Sequence, residues 1–301
     1  MNRYGVIDLG TNTFHLLIVE VDGKGKSNEL FRERIFVKLA EDGIGKIGKK
    51  AYSRGINALS HFQKVLHKHQ VKNINAFGTA ALRTEANGQQ FINDAKTESG
   101  ISIQLIPGTE EARLVHVGVI QAIELGHQKG LIMDIGGGSV EFIIADETKV
   151  YWAKSFPIGV AVLYNNFHQK EPISIKNIKV LYKHLKKILQ PLFEVLKTHK
   201  TTCLIGASGT FDVLEKILPN SQKTTLSATI NIENFHPAYQ KILKMNMEER
   251  RAEKNIPLTR ADMIVVALIL INFIIKEVKI KKILVSAYAM KEGILWEMKN
   301  S

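Results

Sequence analysis

Apolar and polar positions along the chain follow two different periods. A short apolar run at residues 4–8 ends in a Gly, Asn and Thr turn, and a second run follows from Phe14 to Val21. This pattern predicts a β-hairpin with a polar elbow, and residues 29–40 can supply a third strand. The period then changes: Ile56, Leu59, Phe62, Val65 and Leu66 recur at helical spacing, with Ser53 placed to cap the helix. Beyond it, VKNINAFGTAALR reads as a strand ending in a polar turn, Asn87–Glu98 as a helix, ISIQLI as a strand and EEARLVHVGVIQAIEL as a helix. Alternation of this kind predicts α/β layering.

The pattern restarts at GLIMDIGGGSVEFIIAD, after which helices dominate from about Ile175, interrupted by strands at CLIGASG and KILVSA. Met263–Ile275 is an apolar run of 13 residues containing Asn272. It is shorter than the roughly 20 residues of a spanning helix, so it reads as buried.

The restart repeats the beginning. YGVIDLGTNTFHLLIV and GLIMDIGGGSVEFIIA each run apolar strand, Asp, one residue, Gly, two small residues, hydroxyl residue, second strand. Asp8 and Asp134 stand 126 residues apart, and Thr13 and Ser139, then His15 and Glu141, keep the same offsets from them. Two copies at that spacing suggest a duplicated lobe.

Turns of Gly and small hydroxyl residues let backbone NH groups approach an anion, and two facing turns make a phosphate clamp. The candidates are Gly10, Thr11, Asn12 and Thr13 in the first turn and Gly136, Gly137, Gly138 and Ser139 in the second. Asp8 and Asp134 are too negative to touch phosphate directly, so their expected task is to hold Mg²⁺ or a metal-bound water. The bland alternative is a pair of tight hairpins with nothing bound, which leaves the matching aspartates unexplained. A third cluster, Gly206-Ala207-Ser208-Gly209-Thr210, joins a strand to the helical FDVLEKIL. It is either a capped turn or a site where Ser208 and Gly209 meet an anion at a helix N-terminus.

Composition changes the picture little. At 301 residues, 45% hydrophobic and 23% charged, the chain is long enough for two globular lobes, with no low-complexity tract. The net charge of +12 admits nucleic acid, a polyanionic substrate or an anionic membrane surface. Much of it is local, in Lys46–Lys50, Lys183–Lys187 and Lys276–Lys282, which read equally well as solvated faces. Cys203 is the single cysteine, which excludes internal disulfides and cysteine metal clusters and suits a reducing compartment. No signal peptide is visible, so a cytoplasmic location is expected. His61, His67 and His69 do not share one face and are expected at the surface.

Four motifs, DLGTNTFHLLI, GTAALRTEANG, IPGTEEARL and DIGGGSVEF, together resemble the exopolyphosphatase and guanosine pentaphosphate phosphohydrolase (Ppx/GppA) family. Fainter likeness runs through GASGT, LTRADMI and VSAYAMKEG. The three glycine elements, in their order, are similar to the phosphate and adenosine motifs of the actin, hexokinase and Hsp70 superfamily. The resemblance implies two similar RNase H-like, actin-like ATPase domains with a cleft between them. Residues 1–125 would form the first, joined by a C-terminal helix at 287–301, and 126–286 the second.

The same resemblance makes Glu111 the base that orients or deprotonates the attacking water and Arg83 a phosphate contact. Glu141 would help hold metal or water beside Asp8 and Asp134. A carboxylate is one way to position water in phosphoryl transfer, and the arginine fork suits phosphate oxygens. Glu110 and Glu111 also suit the first turn of a helix on dipole grounds alone.

The implied activity is Mg²⁺-dependent release of terminal phosphate from inorganic polyphosphate or guanosine pentaphosphate. A phosphotransferase of the superfamily and a non-catalytic polyphosphate or alarmone binder are the alternatives. The expected partner is a polyanionic phosphate substrate, with no membrane and no nucleic acid, and a homodimer is admitted. Three positions depart from the family pattern. The chain stops at 301, so a long polyphosphate channel is expected to be absent; ASGT stands where a double glycine before Thr is expected; and Thr11 replaces a common Ser.

Overall fold

In the computed structural model, which describes residues 2–43, 45–168, 170–218 and 220–300, the chain builds two sheets. The first half runs β1 (Asn2–Leu9), β2 (Thr13–Val21), β3 (Ser27–Phe36), α1 (Lys49–Lys68), β4 (Asn73–Gly78), α2 (Ala80–Thr84), α3 (Gly88–Ser99), β5 (Ile103–Leu105) and α4 (Gly108–Val119). Its sheet has the order β3-β2-β1-β4-β5, with an antiparallel meander and then parallel β4 and β5.

The second half begins the same way with β6 (Gly130–Ile135), β7 (Val140–Ala145) and β8 (Val150–Phe156). It continues through α5 (Val160–Phe167), α6 (Ile175–Ile188), α7 (Gln190–Thr198), β9 (Cys203–Ala207), α8 (Gly209–Ile217), β10 (Asn220–Lys223) and β11 (Ser227–Ile230). Then come α9 (Ile232–Lys244), α10 (Met247–Ala252), α11 (Ile264–Val278), β12 (Lys282–Ser286) and α12 (Met290–Asn300). The order β8-β7-β6-β9-β12 reproduces the first sheet, and β11 and β10 extend it. The duplication expected from the two Asp-x-Gly motifs is therefore a duplication of topology, and the α/β, two-lobed, actin-like expectation holds.

Both faces of each sheet are covered, which explains why the middle of β1, Gly5–Ile7, and of β6, Leu131–Met133, is apolar and buried. One face of the first sheet packs on α1 and α3 through Leu16, Ile18, Leu59, Phe62 and Phe91. One face of the second packs on the helices of its own half through Met133, Phe142, Leu181, Leu214 and Leu268. Between the sheets lies a third core, where Val115 and Val119 of α4 and Met290 and Ile294 of α12 meet Val6 and Leu17 of one sheet and Ile143 and Ile205 of the other. The middle layer places the C-terminal edges of both sheets around one space.

The helices α4 and α12 cross at two glycines. A Cβ on Gly118 would lie 2.0 Å from the Ala289 carbonyl oxygen, and one on Gly293 2.0 Å from that of Leu114. Backbone meets backbone there, and any side chain would separate the helices.

Several elements differ from the sequence reading. The first helix begins at Lys49 after Gly48, so Ser53 lies inside it and does not cap it. Asn87 does stand at the N-cap of α3, but its Oδ1 accepts from the Ile47 amide at 2.8 Å, tying down a loop instead of the helix. The helix at 110–125 stops at Val119. β8 and the β10–β11 hairpin were not foreseen, because Thr, Ser and Lys interrupt their apolar alternation. Residues 263–275 do form a buried helix, and no helix among the described residues is long and apolar enough to cross a membrane. His61 bonds Glu33 at 2.8 Å.

The unexpected serine before Gly209 has a structural consequence. Ser208, between β9 and α8, takes φ 69° and ψ 178°, a conformation that glycine adopts freely and a side chain does not.

Two stability outcomes follow. Gly293→Val should lower the unfolding free energy by about 1–3 kcal/mol, the cost of overpacking a tight contact, read from urea denaturation. Ser208→Gly should raise it by about 1 kcal/mol, since relief of about 1–3 kcal/mol of backbone strain is partly offset by added unfolded-state entropy.

Candidate active site

The two hairpins share more than sequence. Asp8 pairs with His15 across β1–β2, and Asp134 with Glu141 across β6–β7, so each aspartate faces the residue seven positions on. Each turn is closed by the same bond, Gly10 N to Thr13 O at 3.1 Å and Gly136 N to Ser139 O at 3.0 Å. The turn carbonyls are occupied in the same manner. Amides of Val37 and Leu39, just after β3, donate to the carbonyls of Asn12 (3.0 Å) and Thr11 (2.7 Å). Amides of Gly159, Val160 and Ala161, just after β8, donate to those of Gly138 (3.1 Å), Gly136 (2.9 Å) and Gly137 (2.9 Å). The segment after the third strand of each meander thus draws the carbonyls to itself. That leaves the amides of Thr11, Asn12, Gly137 and Gly138 outside the hairpin ladder.

The turns abut. A Cβ on Gly137 would come within 2.7 Å of the Asn12 carboxamide carbon, and one on Gly138 within 2.6 Å of Thr11 Oγ1. Only glycine allows this approach. Thr11 Oγ1 and Asn12 Oδ1 are buried in the contact without a hydrogen-bond partner, while Asn12 Nδ2 reaches Met263 Sδ at 3.3 Å. Buried polar atoms without partners are costly, and a ligand oxygen or bound water satisfies them.

Facing the turns is a cavity of about 300 Å³. Asp8, Asp134, Glu111, Glu141, both turns, Ser208 and Gly209 all line it. Arg83 does not. Its Nη1 donates to the Ile106 carbonyl at 2.6 Å and lies 3.5 Å from Glu111 Oε2, behind the carboxylate. Glu111 sits in the first turn of α4 and is 8% exposed. Glu141, 1% exposed, accepts from Ser155 Oγ at 2.6 Å.

Four carboxyls in one small space repel one another, and burial adds to the cost. Burial, then the neighbouring Asp134, pushes Glu141 up to about 7. Burial, offset by Lys291 and reinforced by Asp134, raises Asp8 to about 7. Glu111 is raised well above the usual carboxylate range by burial and by Glu141, against the pull of Arg83. Burial also raises Asp134, opposed by a bond from the Ser208 hydroxyl.

The cavity's cations were not identified in the sequence. Arg32 and Arg34 of β3, Arg260 and Lys291 of α12 line it. Burial and the neighbouring Arg34 lower the Arg260 guanidinium to about 10. His15 is held well below its usual value by burial and by Lys291, Arg34, Arg260 and Arg32. Two crowded arginines and a neutral histidine make that side of the cavity predominantly basic, with Asp212 among them. Two ion pairs cross from lobe to lobe beside it, Arg34 to Asp212 at 3.4 Å and Lys38 to Asp262 at 2.6 Å. Arg260 and Lys291 lie in LTRADMI and VSAYAMKEG, the fainter parts of the family likeness, which were the available signal. Arg34 carried none.

Known proteins agree with this geometry. The model of the Ppx/GppA phosphatase family matches residues 17–301. An exopolyphosphatase from Cytophaga hutchinsonii superposes with a TM-score of 0.94 at 36% identity, covering 99% of this chain and 98% of that one. A Ppx/GppA family member from Aquifex aeolicus shares the fold, with a TM-score of 0.79 at 21% identity over 99% and 97% of the two chains. The guanosine-5'-triphosphate,3'-diphosphate pyrophosphatases of Vibrio vulnificus and Photobacterium profundum are 28% and 27% identical over 98% of this chain. The chain spans 59% of the length of each of those curated relatives. A match that takes in all but the first 16 residues leaves one assignment: the chain belongs to the Ppx/GppA phosphatase family.

Proposed function

We propose that the chain is a phosphohydrolase that releases terminal phosphate from inorganic polyphosphate or guanosine pentaphosphate. The observation that carries this reading is Glu111: a buried carboxylate in the same cavity as two abutting glycine turns with unpartnered Thr11 and Asn12 oxygens. The relatives' names point the same way, one an exopolyphosphatase and others guanosine pyrophosphatases. Among the described residues no Phe, Tyr or Trp lines the cavity, so it offers no surface for stacking a base, which favours the polyphosphate end. In this reading the cavity is the cleft between a lobe of residues 1–125 with 287–301 and a lobe of 126–286. The single Cys203 suits work in the cytoplasm.

Water attacks the terminal phosphorus as the bridging P–O bond breaks, and the chain leaves shortened by one phosphate. Glu111 orients that water and accepts its proton; a carboxyl raised toward neutrality is a better base near pH 7 than an ordinary one. Arg83 serves as a positioning residue, holding Glu111 from behind. Turn amides and the Thr11, Thr13 and Ser139 hydroxyls grip phosphate oxygens, while Arg34, Arg260 and Lys291 spread the charge of the transition state.

Magnesium fits this donor set. Among the described residues no three His, Cys, Asp or Glu side chains form a group able to hold a metal alone, so Asp8, Asp134 and Glu141 do not make a closed cage. Mg²⁺ commonly takes one or two carboxylates and completes its shell with water and substrate phosphate, which matches raised, uncompensated carboxyls beside a phosphate site. When bound, it would neutralise phosphate oxygens, held from among those three residues.

Three outcomes test the reading. Glu111→Gln should lower kcat by on the order of 10²–10⁴ on whichever of long polyphosphate, short polyphosphate or guanosine pentaphosphate the wild type hydrolyses. Unchanged phosphate release would remove Glu111 as the base, and a wild type inert on all three would make the protein a binder. Because raised carboxyls are protonated on the acid side, kcat/KM should fall as the pH drops through about 7 and level off above it. Chelating divalent ions should abolish turnover and Mg²⁺ restore it; full activity in chelator would refute the metal assignment.

A further inference from the structure

A second concavity, about 840 Å³, lies far from the cleft between the C-terminal ends of α6, α7 and α11. Seven lysines line it, with Glu194 and Glu277 as its acidic members. Lys197 bonds Glu194 at 2.6 Å and Lys186 lies 3.9 Å from Glu277. The other five, Lys183, Lys187, Lys200, Lys279 and Lys281, have no carboxylate partner among the described residues and are exposed. Helix ends account for part of this charge, since cations favour a helix C-terminus. Lys200, Lys279 and Lys281 stand beyond the helices, and Lys183 lies before the last turn of α6.

We propose that this groove anchors inorganic polyphosphate at a distance from the cleft. The lining is chemically selective. It holds lysines and no arginine, so it offers point charges instead of bidentate forks. Its one aromatic, Phe193, is engaged with Phe273 at 5.9 Å between ring centres, leaving no platform on which a nucleic-acid base could stack. Phe193, Leu196 and Val278 add apolar lining, and the site is concave, unlike a face that lies on a membrane. A thin chain of regularly spaced negative charges without bases matches it.

Position supplies the function. Thr201, Thr202, Lys279 and Lys281 precede β9 and β12, while Ser208 and Ser286, at the other ends of those strands, line the cleft. Five-residue strands separate the two sites by about 16 Å through the sheet, and by more around the lobe. Only a long chain reaches both. A polymer held in the groove keeps its remaining length near the cleft and raises the local concentration of chain ends there. The inference rests on the polyphosphate half of the proposed function.

The test is a triple variant, Lys183→Gln/Lys187→Gln/Lys281→Gln, beside a control that loses the same charge elsewhere, Lys50→Gln/Lys64→Gln/Lys96→Gln. For long-chain polyphosphate the groove variant should raise KM by at least about fivefold, with tripolyphosphate kinetics and the control unchanged. Equal changes for both chain lengths, no change, or the same change in the control would overturn the anchor. Anisotropy of labelled long-chain polyphosphate should show the same weakening in the groove variant. Tighter binding of single-stranded RNA of equal charge would reassign the groove to nucleic acid. If the wild type hydrolyses no polyphosphate, the reading of the cleft fails on its own. Anisotropy then decides the groove: weakened binding supports it, and unchanged binding overturns it.

Discussion

Five acidic side chains, Asp212 among them, line one small cavity, and much else in the molecule answers that constraint. Placing Asp8, Asp134, Glu111 and Glu141 together is unfavourable on both counts, desolvation and like-charge repulsion. Relief comes from cations on scattered elements: Lys291 from α12, Arg83 from α2, Arg34 from β3 and Arg260 from the segment before α11. Because those elements belong to different parts of both halves, the charge balance exists only when the halves sit together. The acidic cluster therefore ties the architecture to the cavity: its carboxyls are tolerated only where packing of both halves brings these cations beside them.

The hairpins deal with the opposite problem. An anion needs donors, yet a turn exposes as many carbonyls as amides. Each meander resolves this by returning immediately after its third strand, so that Val37 and Leu39 in one half, and Gly159 to Ala161 in the other, take up the carbonyls. The amides of Thr11, Asn12, Gly137 and Gly138 stay outside the hairpin ladder. The same solution appears twice with unrelated residues, which is why comparing the two sequences as strings exposed the turns and hid their support.

What could be read from the chain follows from how local each feature is. The Asp-x-Gly turns and the alternation of strands and helices are encoded within a few residues and follow from spacing, whereas Glu111 stood out through the family resemblance of its motif. Arg34, Arg260 and Lys291 are ordinary basic residues until long-range packing brings three distant segments to one wall. Arg83 stands in a motif that implies a phosphate contact, and its guanidinium also answers the main-chain carbonyl of Ile106, a partner that no local pattern signals. The β10–β11 hairpin escaped because its polar edge strands lack an apolar period, and Ser53 misled because a good capping residue also occurs inside helices.

The crossing of α4 and α12 makes one slab of the middle layer. At Gly118 and Gly293 the two backbones touch with no side chains interdigitated. Around the cleft, the halves are joined by a few polar bridges, Lys38 to Asp262 and Arg34 to Asp212. The two helices, held backbone to backbone, present Val115, Val119, Met290 and Ile294 to both sheets at once, so the halves share apolar packing in the middle and exchangeable bridges at the rim of the cavity. A side chain that thickened the glycine contact would therefore shift both sheets, and with them the two facing turns, without touching either turn.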